Sequence, residues 1–263
     1  MNKQYLVLCG PVSTRSGYGE HVRDIFHSFY DLDMYDIKIV DTRWGDTPRN
    51  ALDENNPKDK IILDSISRDG NLQKQPDIYV DVRIPNEFQQ IGKFNIGITA
   101  GIETTAVSNK WLEGCNKMDL IIVPSEHSKF GFINTFYDKN QKLPDGSQQK
   151  VGELRLEKPI EVLFEGADEN VYKNIESNNN KGKLFDEIND IVKEKSAFLH
   201  VGQWCNGEYG EDRKDIAKMI KVFLETFSNK SGNVPALILK TSLSGFSILS
   251  KEAGVGLTSS ASF

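Results

Sequence analysis

Residues Pro159 to Asn174 read PIEVLFEGADENVYKN, a short apolar run that collapses into an acidic, glycine-containing bend. Ile160, Val162, Leu163 and Phe164 have the composition of a buried strand, and Glu165-Gly166-Ala167-Asp168 stops it. Upstream of this point the chain reads as one α/β unit with its own strands, and downstream the same rhythm begins again. The stretch is read as a hinge between two lobes, and a hinge implies a cleft.

Working outward, Tyr5 to Cys9 is a continuous apolar run ended by Gly10-Pro11, as expected of a central parallel strand covered on both faces. The loop GPVSTRSGYGE follows, and then Val22, Ile25, Phe26 and Phe29 fall on one face of a helix. Ile37 to Val40 supplies the next strand and completes an opening βαβ unit. Trp44 to Gln75 is polar, broken by Pro48 and Pro57, with a helix over Lys60 to Ile66. Strands follow at Ile78 to Val82, Phe94 to Thr99 and Leu120 to Val123, with helices over Trp111 to Met118 and from a Ser125 cap through Phe136. Lys139 to Lys158 reads as an inserted surface hairpin around the turn Leu143-Pro144-Asp145-Gly146. Beyond the hinge, SNNNKGK reads as a linker. A helix over Leu184 to Val192, a strand at Phe198 to Val201, a helix through Ile216, Met219, Ile220, Phe223 and Phe227, and a strand at Ala236 to Leu239 complete the pattern.

The domains expected are 1–164, a hinge and linker over 165–180, and 181–263. The chain has 263 residues, 38% apolar and 27% charged, within the ordinary globular range. Its net charge of -6 provides no global basic field for nucleic acid, so any anionic ligand needs a local site. Cys9, Cys115 and Cys205 are widely spaced with no CxxC pair, which fits a reducing, cytoplasmic setting better than a disulfide framework or thiolate metal cluster. The N-terminus runs straight into a strand pattern, with too short an apolar segment for a signal peptide or a spanning helix. Peripheral contact with a membrane stays open.

Two segments resemble retaining glycosyltransferases of the GT-B fold, the group-1 or family-4 type. One is GITAGIETTAVSNKWLEGCNKMDLIIVPSEHSKFGF with PIEVLFEGADENVY, and the other is FLHVGQW with RKDIAKMIKVFLETF and ALILKT. The resemblance implies two Rossmann-like lobes. The first is an acceptor-side lobe over 1–164, and 181–263 is a partial nucleotide-sugar lobe. The activity implied is transfer of a sugar from a nucleoside-diphosphate donor to a glycan or other hydroxyl acceptor, with retention, without metal and without a bound cofactor.

In that reading Arg213 and Lys214 neutralise the donor diphosphate at a helix start, Lys214 acting on the leaving group, and Thr241 in ALILKT lies on the donor side. Gly17 and Gly19 let backbone amides approach the donor, and Glu103 in AGIETT stands against the transferred sugar. Each has a plainer reading. The glycines also serve an ordinary βα turn, Arg213-Lys214 a solvated basic pair beside Glu211 and Asp212, and Glu103 a helix cap. Gln203 stands where the family often has arginine after the glycine of VG, which places more of the diphosphate on Arg213 and Lys214.

Other patterns carry less. Asp31-Leu32-Asp33 matches a metal-binding DxD, but it follows a surface helix rather than closing a buried strand. His21, His27 and His200 are scattered and form no ligand set. Glu153 with Glu161, and Glu157 with Glu165, both fit the family's Glu-x7-Glu spacing, yet lie before the donor lobe begins. The motif proper is expected beyond ALILKT, so the sequence reads as truncated within its donor lobe and of uncertain turnover. Two competing readings are a noncatalytic carbohydrate- or nucleotide-binding protein on the same scaffold and, more weakly, a sugar-nucleotide epimerase.

Overall fold

A computed structural model describes residues 3–67, 72, 74–102, 104–144, 146–173, 182–204, 209–210, 214–227 and 234–243. The chain divides into two compact units, Met1–Ala167 and Asp168–Phe263. The first is built on β1 (Gln4–Gly10), α1 (Gly17–Asp31), β2 (Tyr35–Asp41), α2 (Pro57–Ser65), β3 (Ile78–Val82), β4 (Phe94–Ile98), α3 (Asn109–Cys115), β5 (Leu120–Val123) and α4 (Glu126–Asn134). A hairpin of β6 (Tyr137–Lys142) and β7 (Gln148–Leu154) follows, then β8 (Ile160–Val162). Six strands form one parallel sheet in the order β2-β1-β3-β4-β5-β8, a Rossmann-like α/β arrangement.

The order contains a reversal. The chain steps from β1 outward to β2, then returns to place β3 on the other side of β1. Ile66 adds a single parallel bridge to Ile39 on the outer side of β2, with Ser67 N donating to Ile39 O at 2.8 Å. Counted as a one-residue strand, it makes the doubly wound order 3-2-1-4-5-6 with a seventh strand appended. In either count the switch point lies between β1 and β3.

Period-two alternation explains why β1 is central. Leu6 and Leu8 pack with Val22, Phe26 and Ile62 of α1 and α2, whereas Tyr5, Val7 and Cys9 pack with Tyr79. A second cluster joins Leu112, Cys115 and Met118 to Ile121, Val123, Phe132, Leu154 and Ile160. Burial on both faces is the reason the strand sequences are continuously apolar rather than alternating.

Several sequence expectations need adjustment. Leu163 and Phe164 are not buried but 50% and 71% exposed, since β8 stops at Val162 and has only β5 as a neighbour. α3 stops at Cys115 rather than Met118, because the next residues turn, with Lys117 N donating to Gly114 O and Met118 N to Cys115 O. α4 stops at Asn134 rather than Phe136. Thr135 is extended there, its hydroxyl donating to Gly131 O at 2.6 Å and accepting from Val107 N at 3.0 Å. The hairpin strands begin at Tyr137, whose hydroxyl donates to Val107 O at 2.7 Å. Asp145 of the predicted turn lies outside the described residues.

The second unit contains α5 (Lys183–Ile191), β9 (Ala197–Trp204), α6 (Ile216–Phe227) and β10 (Ala236–Leu243). β9 and β10 pair in parallel, in register from Ala197 with Ala236 to Trp204 with Leu243, so strand, helix and strand form a βαβ unit. Phe198 packs against Phe223 and Phe227 at 6.1 and 6.0 Å between ring centroids, which fixes the face that α6 covers. Leu199 and Val201 stay 65% and 60% exposed. No helix among the described residues is long and apolar enough to cross a membrane.

Cys9 and Cys115 are both buried, and burial pushes their thiols up to about 11 and about 12. The thiolate is the reactive form, so neither should be modified by a maleimide at pH 7.5 until the protein unfolds. Peptide mass mapping before and after urea treatment checks this; rapid native labelling at either position would contradict the packing.

Candidate functional site

In open α/β sheets ligands bind beyond the carboxyl ends of the strands, at the switch point. In the first unit that edge is formed by the loop after β1, the end of β2 and the loop after β4. The loop Pro11 to Ser16 is closed largely on itself. Val12 N donates to Gly10 O at 2.9 Å, Thr14 N to Pro11 O at 3.0 Å, and the Thr14 hydroxyl to the same Pro11 O at 2.8 Å. Ser16 caps α1, accepting from Gly19 N at 3.0 Å, which satisfies one of the helix's unpaired first-turn donors.

Arg23, one turn into the helix, reaches back to donate to Val12 O at 2.6 Å and Thr14 O at 3.1 Å, and pairs with Glu20. Asp41 at the end of β2 accepts from Ser13 N at 3.3 Å, Ser13 Oγ at 2.6 Å and Arg49 at 2.6 Å. Arg15 fastens the outer loop through Asn50, donating to its side-chain oxygen at 2.9 Å and its carbonyl at 3.1 Å. The start of α1 therefore carries its own cap and an exposed first-turn carboxylate, Glu20. That charge opposes an anion at the helix N-terminus.

Gly17 and Gly19 stand in different surroundings. A Cβ on Gly17 would meet open space, whereas one on Gly19 would overlap the carbonyl oxygen and hydroxyl of Thr14. Gly19 thus has a packing role whatever ligand the loop takes. Between them, Tyr18 leaves the helix and places its hydroxyl 3.0 Å from Thr99 Oγ1, where it also accepts from Ala100 N at 3.1 Å. Trp44 lies on Tyr18 with ring centroids 4.2 Å apart at 31°. Gly101, with φ of +81°, turns the next loop so tightly that a Cβ would press on Ser128 of α4. Ser128 donates to Ala100 O at 3.3 Å. Glu103, two residues further, lies outside the described residues.

The end of β3 is filled by a buried ion pair. Arg83 donates to both carboxylate oxygens of Asp81, at 2.6 and 2.7 Å, and to Glu87 O at 2.7 Å, and Gln89 N donates to Asp81 at 3.1 Å. Burial raises the Asp81 carboxyl, while Arg83 and the Gln89 amide oppose that rise. Burial alone would lower the Arg83 guanidinium, but the Asp81 carboxylate holds it above its usual value. Both groups are fully engaged, so the pair braces the turn at Pro85–Glu87. His21, on the second turn of α1, has Nδ1 3.7 Å from Glu165 Oε1, which ties the exit of β8 back to this edge.

In the second unit, the loop leaving the carboxyl end of β9 leads to the start of α6, and Lys214 lies exposed in the turn two residues before that helix. Asp215 between them adopts φ of +52°, and Met219 N donates to its carbonyl at 2.9 Å. Thr241 is exposed on β10 beside Gly202, in the carboxyl half of the strand pair. Topology thus brings Lys214 and Thr241 to the same end of the unit. Arg213 lies outside the described residues. A cavity of about 220 Å³ opens at the opposite end, between α5 and the starts of β9 and β10, lined by Phe185, Ile188 and Ile238. Among the described residues no group of His, Cys, Asp and Glu could hold a metal ion. Asp33, of the DxD match, is a solvated residue in a left-handed turn, paired with Lys3.

Sequence reasoning passed over Tyr18, Trp44, Asp41 and Ser13. The available signal was an aromatic residue between two glycines and a tryptophan just past the end of a strand, in a stretch otherwise polar. Comparison with family models, with curated proteins and with solved structures gave no match.

Gly19→Ala should destabilise the protein by about 1–3 kcal/mol, as expected of overpacking, while Gly17→Ala should change stability by less than about 0.5 kcal/mol. Urea denaturation of the two variants tests the contrast. Equal effects would show that the loop is not closed around Thr14 as described.

Proposed function

We propose that this chain is a GT-B type glycosyltransferase. It moves a sugar from a nucleoside-diphosphate donor to a glycan or other hydroxyl acceptor, with retention and without a metal. Its first unit takes the acceptor and its second the donor. The observation that carries the reading is the convergence of Lys214 and Thr241 at the carboxyl end of a parallel βαβ unit, the end at which such sheets bind nucleotides. A lysine before a helix N-terminus adds its charge to that of the helix dipole, and both act on a diphosphate as negative charge builds on it during departure.

In this reading Lys214, with Arg213 beside it, stabilises the leaving nucleoside diphosphate. Glu103 holds the sugar being transferred. Gly17 and Gly19 bring the first loop to the donor side, the Gly19 amide itself being given to Ser16. Thr241 offers a hydroxyl to the nucleotide portion. No side chain is required to lose a proton before bond cleavage, because the work is electrostatic and positional. The noncatalytic binding reading shares this donor site and differs only in turnover.

Calorimetry with UDP, GDP and ADP on the wild type and Lys214→Ala tests the donor site. At least one nucleotide should bind, and loss of the charge should weaken it about tenfold or more, the size expected for one charge-assisted contact of about 1.5–3 kcal/mol. Absence of nucleotide binding, or binding indifferent to the substitution, would remove the assignment. A panel of labelled nucleotide sugars then separates the alternatives. Sugar transfer supports the enzyme, conversion of the nucleotide sugar without an acceptor the epimerase, and binding without either the binding protein.

A further inference from the structure

The loops that follow β1 and β2 carry an aromatic pair that the core does not need. Tyr18 packs partly on the first core cluster, but Trp44 does not belong to it; it lies on the outer side of Tyr18 and is itself only half-buried. Tyr18 is held firmly. Its hydroxyl is shared with Thr99 Oγ1 and receives the Ala100 amide, so a helix that starts beyond β1 is tied to the end of β4, two strands away. This places the ring at the mouth of the β1–β3 switch point.

Trp44 is held from the other side. Thr42 N donates to Gly10 O at 3.0 Å, and Thr47 N to Trp44 O at 3.1 Å, closing a turn around the tryptophan. Thr42 Oγ1, two residues before it, is buried with no hydrogen-bond partner among the described residues. A buried hydroxyl left unpaired calls for a partner. Asp41 is committed to Ser13 and Arg49, Arg23 to Glu20, and Arg15 to Asn50, whereas Arg43 and Asp46, on either side of Trp44, are exposed. What remains at the edge is an aromatic face with one exposed cation and one exposed carboxylate beside it.

We propose that Trp44, backed by Tyr18, is a stacking platform for a pyranose ring, and so marks the carbohydrate acceptor position on the first unit. One face of a pyranose presents axial C–H bonds, which suit the electron-rich face of an indole, while its rim of hydroxyls seeks donors and acceptors such as the exposed Arg43 and Asp46. Asp46 beside the ring and Glu20 at the adjacent helix start both disfavour a phosphate there, and neither hinders an uncharged sugar. The proposal rests on the carbohydrate reading above but not on the donor site.

The test is saturation-transfer NMR on the full chain with maltose, N,N′-diacetylchitobiose and α-1,2-mannobiose, without nucleotide. At least one disaccharide should show transfer to the C–H protons of one ring face, and Trp44→Ala should reduce its affinity about tenfold or more while Trp44→Phe keeps most of it. A second measurement needs no variant: the same disaccharide should protect Trp44 from oxidation by N-bromosuccinimide, read by peptide mass mapping, without protecting the equally half-buried Trp111 of α3 to the same degree. Failure of all three probes to show transfer, or unchanged Trp44 oxidation under a saturating probe, overturns the platform. Nucleotide binding that survives such a result leaves the donor assignment standing, and saccharide protection without nucleotide binding does the reverse.

Discussion

Burial of β1 on both faces is the constraint from which the rest of the first unit follows. Tyr5 through Cys9 are each inaccessible, with alternate side chains going to opposite layers. A strand of that kind must have covering elements above and below, because an apolar face left in water would forfeit roughly 25 cal/mol for each Å² that burial removes. α1 and α2 cover one face, and on the other Tyr5, Val7 and Cys9 cluster with Tyr79 of the neighbouring strand and with Leu72 and Ile91 outside it. Once the layers are fixed, the reversal of strand order beside β1 is fixed too, and with it the edge at which loops converge.

The converging loops are held by local hydrogen bonds rather than by deep packing. Ser13 and Asp41 join the ends of β1 and β2, Arg23 gathers the loop carbonyls, and Tyr18 spans to β4. Backbone groups in a partly buried loop must find partners or carry a desolvation penalty of order 1–3 kcal/mol each. The short polar side chains of the PVSTRS run supply those partners. The same run makes the loop rigid, which is what positioning an aromatic ring at its end requires.

The sheet was legible because its signals are local. Largely apolar runs set off by a nearby proline give Ile78–Val82 and Leu120–Val123 with the bounds expected from sequence, and α1 and α6 follow from apolar residues at helical spacing. The misreadings occur where a tertiary contact decides. Leu163 and Phe164 look like core in composition, but burial there depends on how many strands flank β8, which no local pattern encodes. Thr135 ends α4 because its hydroxyl is claimed by Gly131 and Val107, a long-range bond in the second case. The Tyr18–Trp44 pair was invisible for the same reason, since 25 residues, a whole strand among them, separate its members.

The two helix starts on which the functional reading turns differ in charge, and the difference has a mechanical sense. α1 begins with a serine cap, an acidic first turn and an arginine turned inward onto loop carbonyls, so its dipole is already answered by the protein. α6 is preceded by an exposed lysine, with Asp215 in a left-handed conformation between the two. Both helix starts thus carry a carboxylate, but at α6 Lys214 and Lys218 stand on either side of Asp215, whereas at α1 the one arginine is turned onto the loop carbonyls. Under the proposed reading this is the division a transferase needs. The diphosphate is drawn chiefly to α6, and the start of α1, with its acidic first turn, is left to uncharged parts of the substrates. A sugar lying on Trp44 would then be held by contact area and hydroxyl pairing, interactions nearly indifferent to salt, while donor affinity at Lys214 would fall as ionic strength rises. The two halves of the reaction would be separable by salt alone.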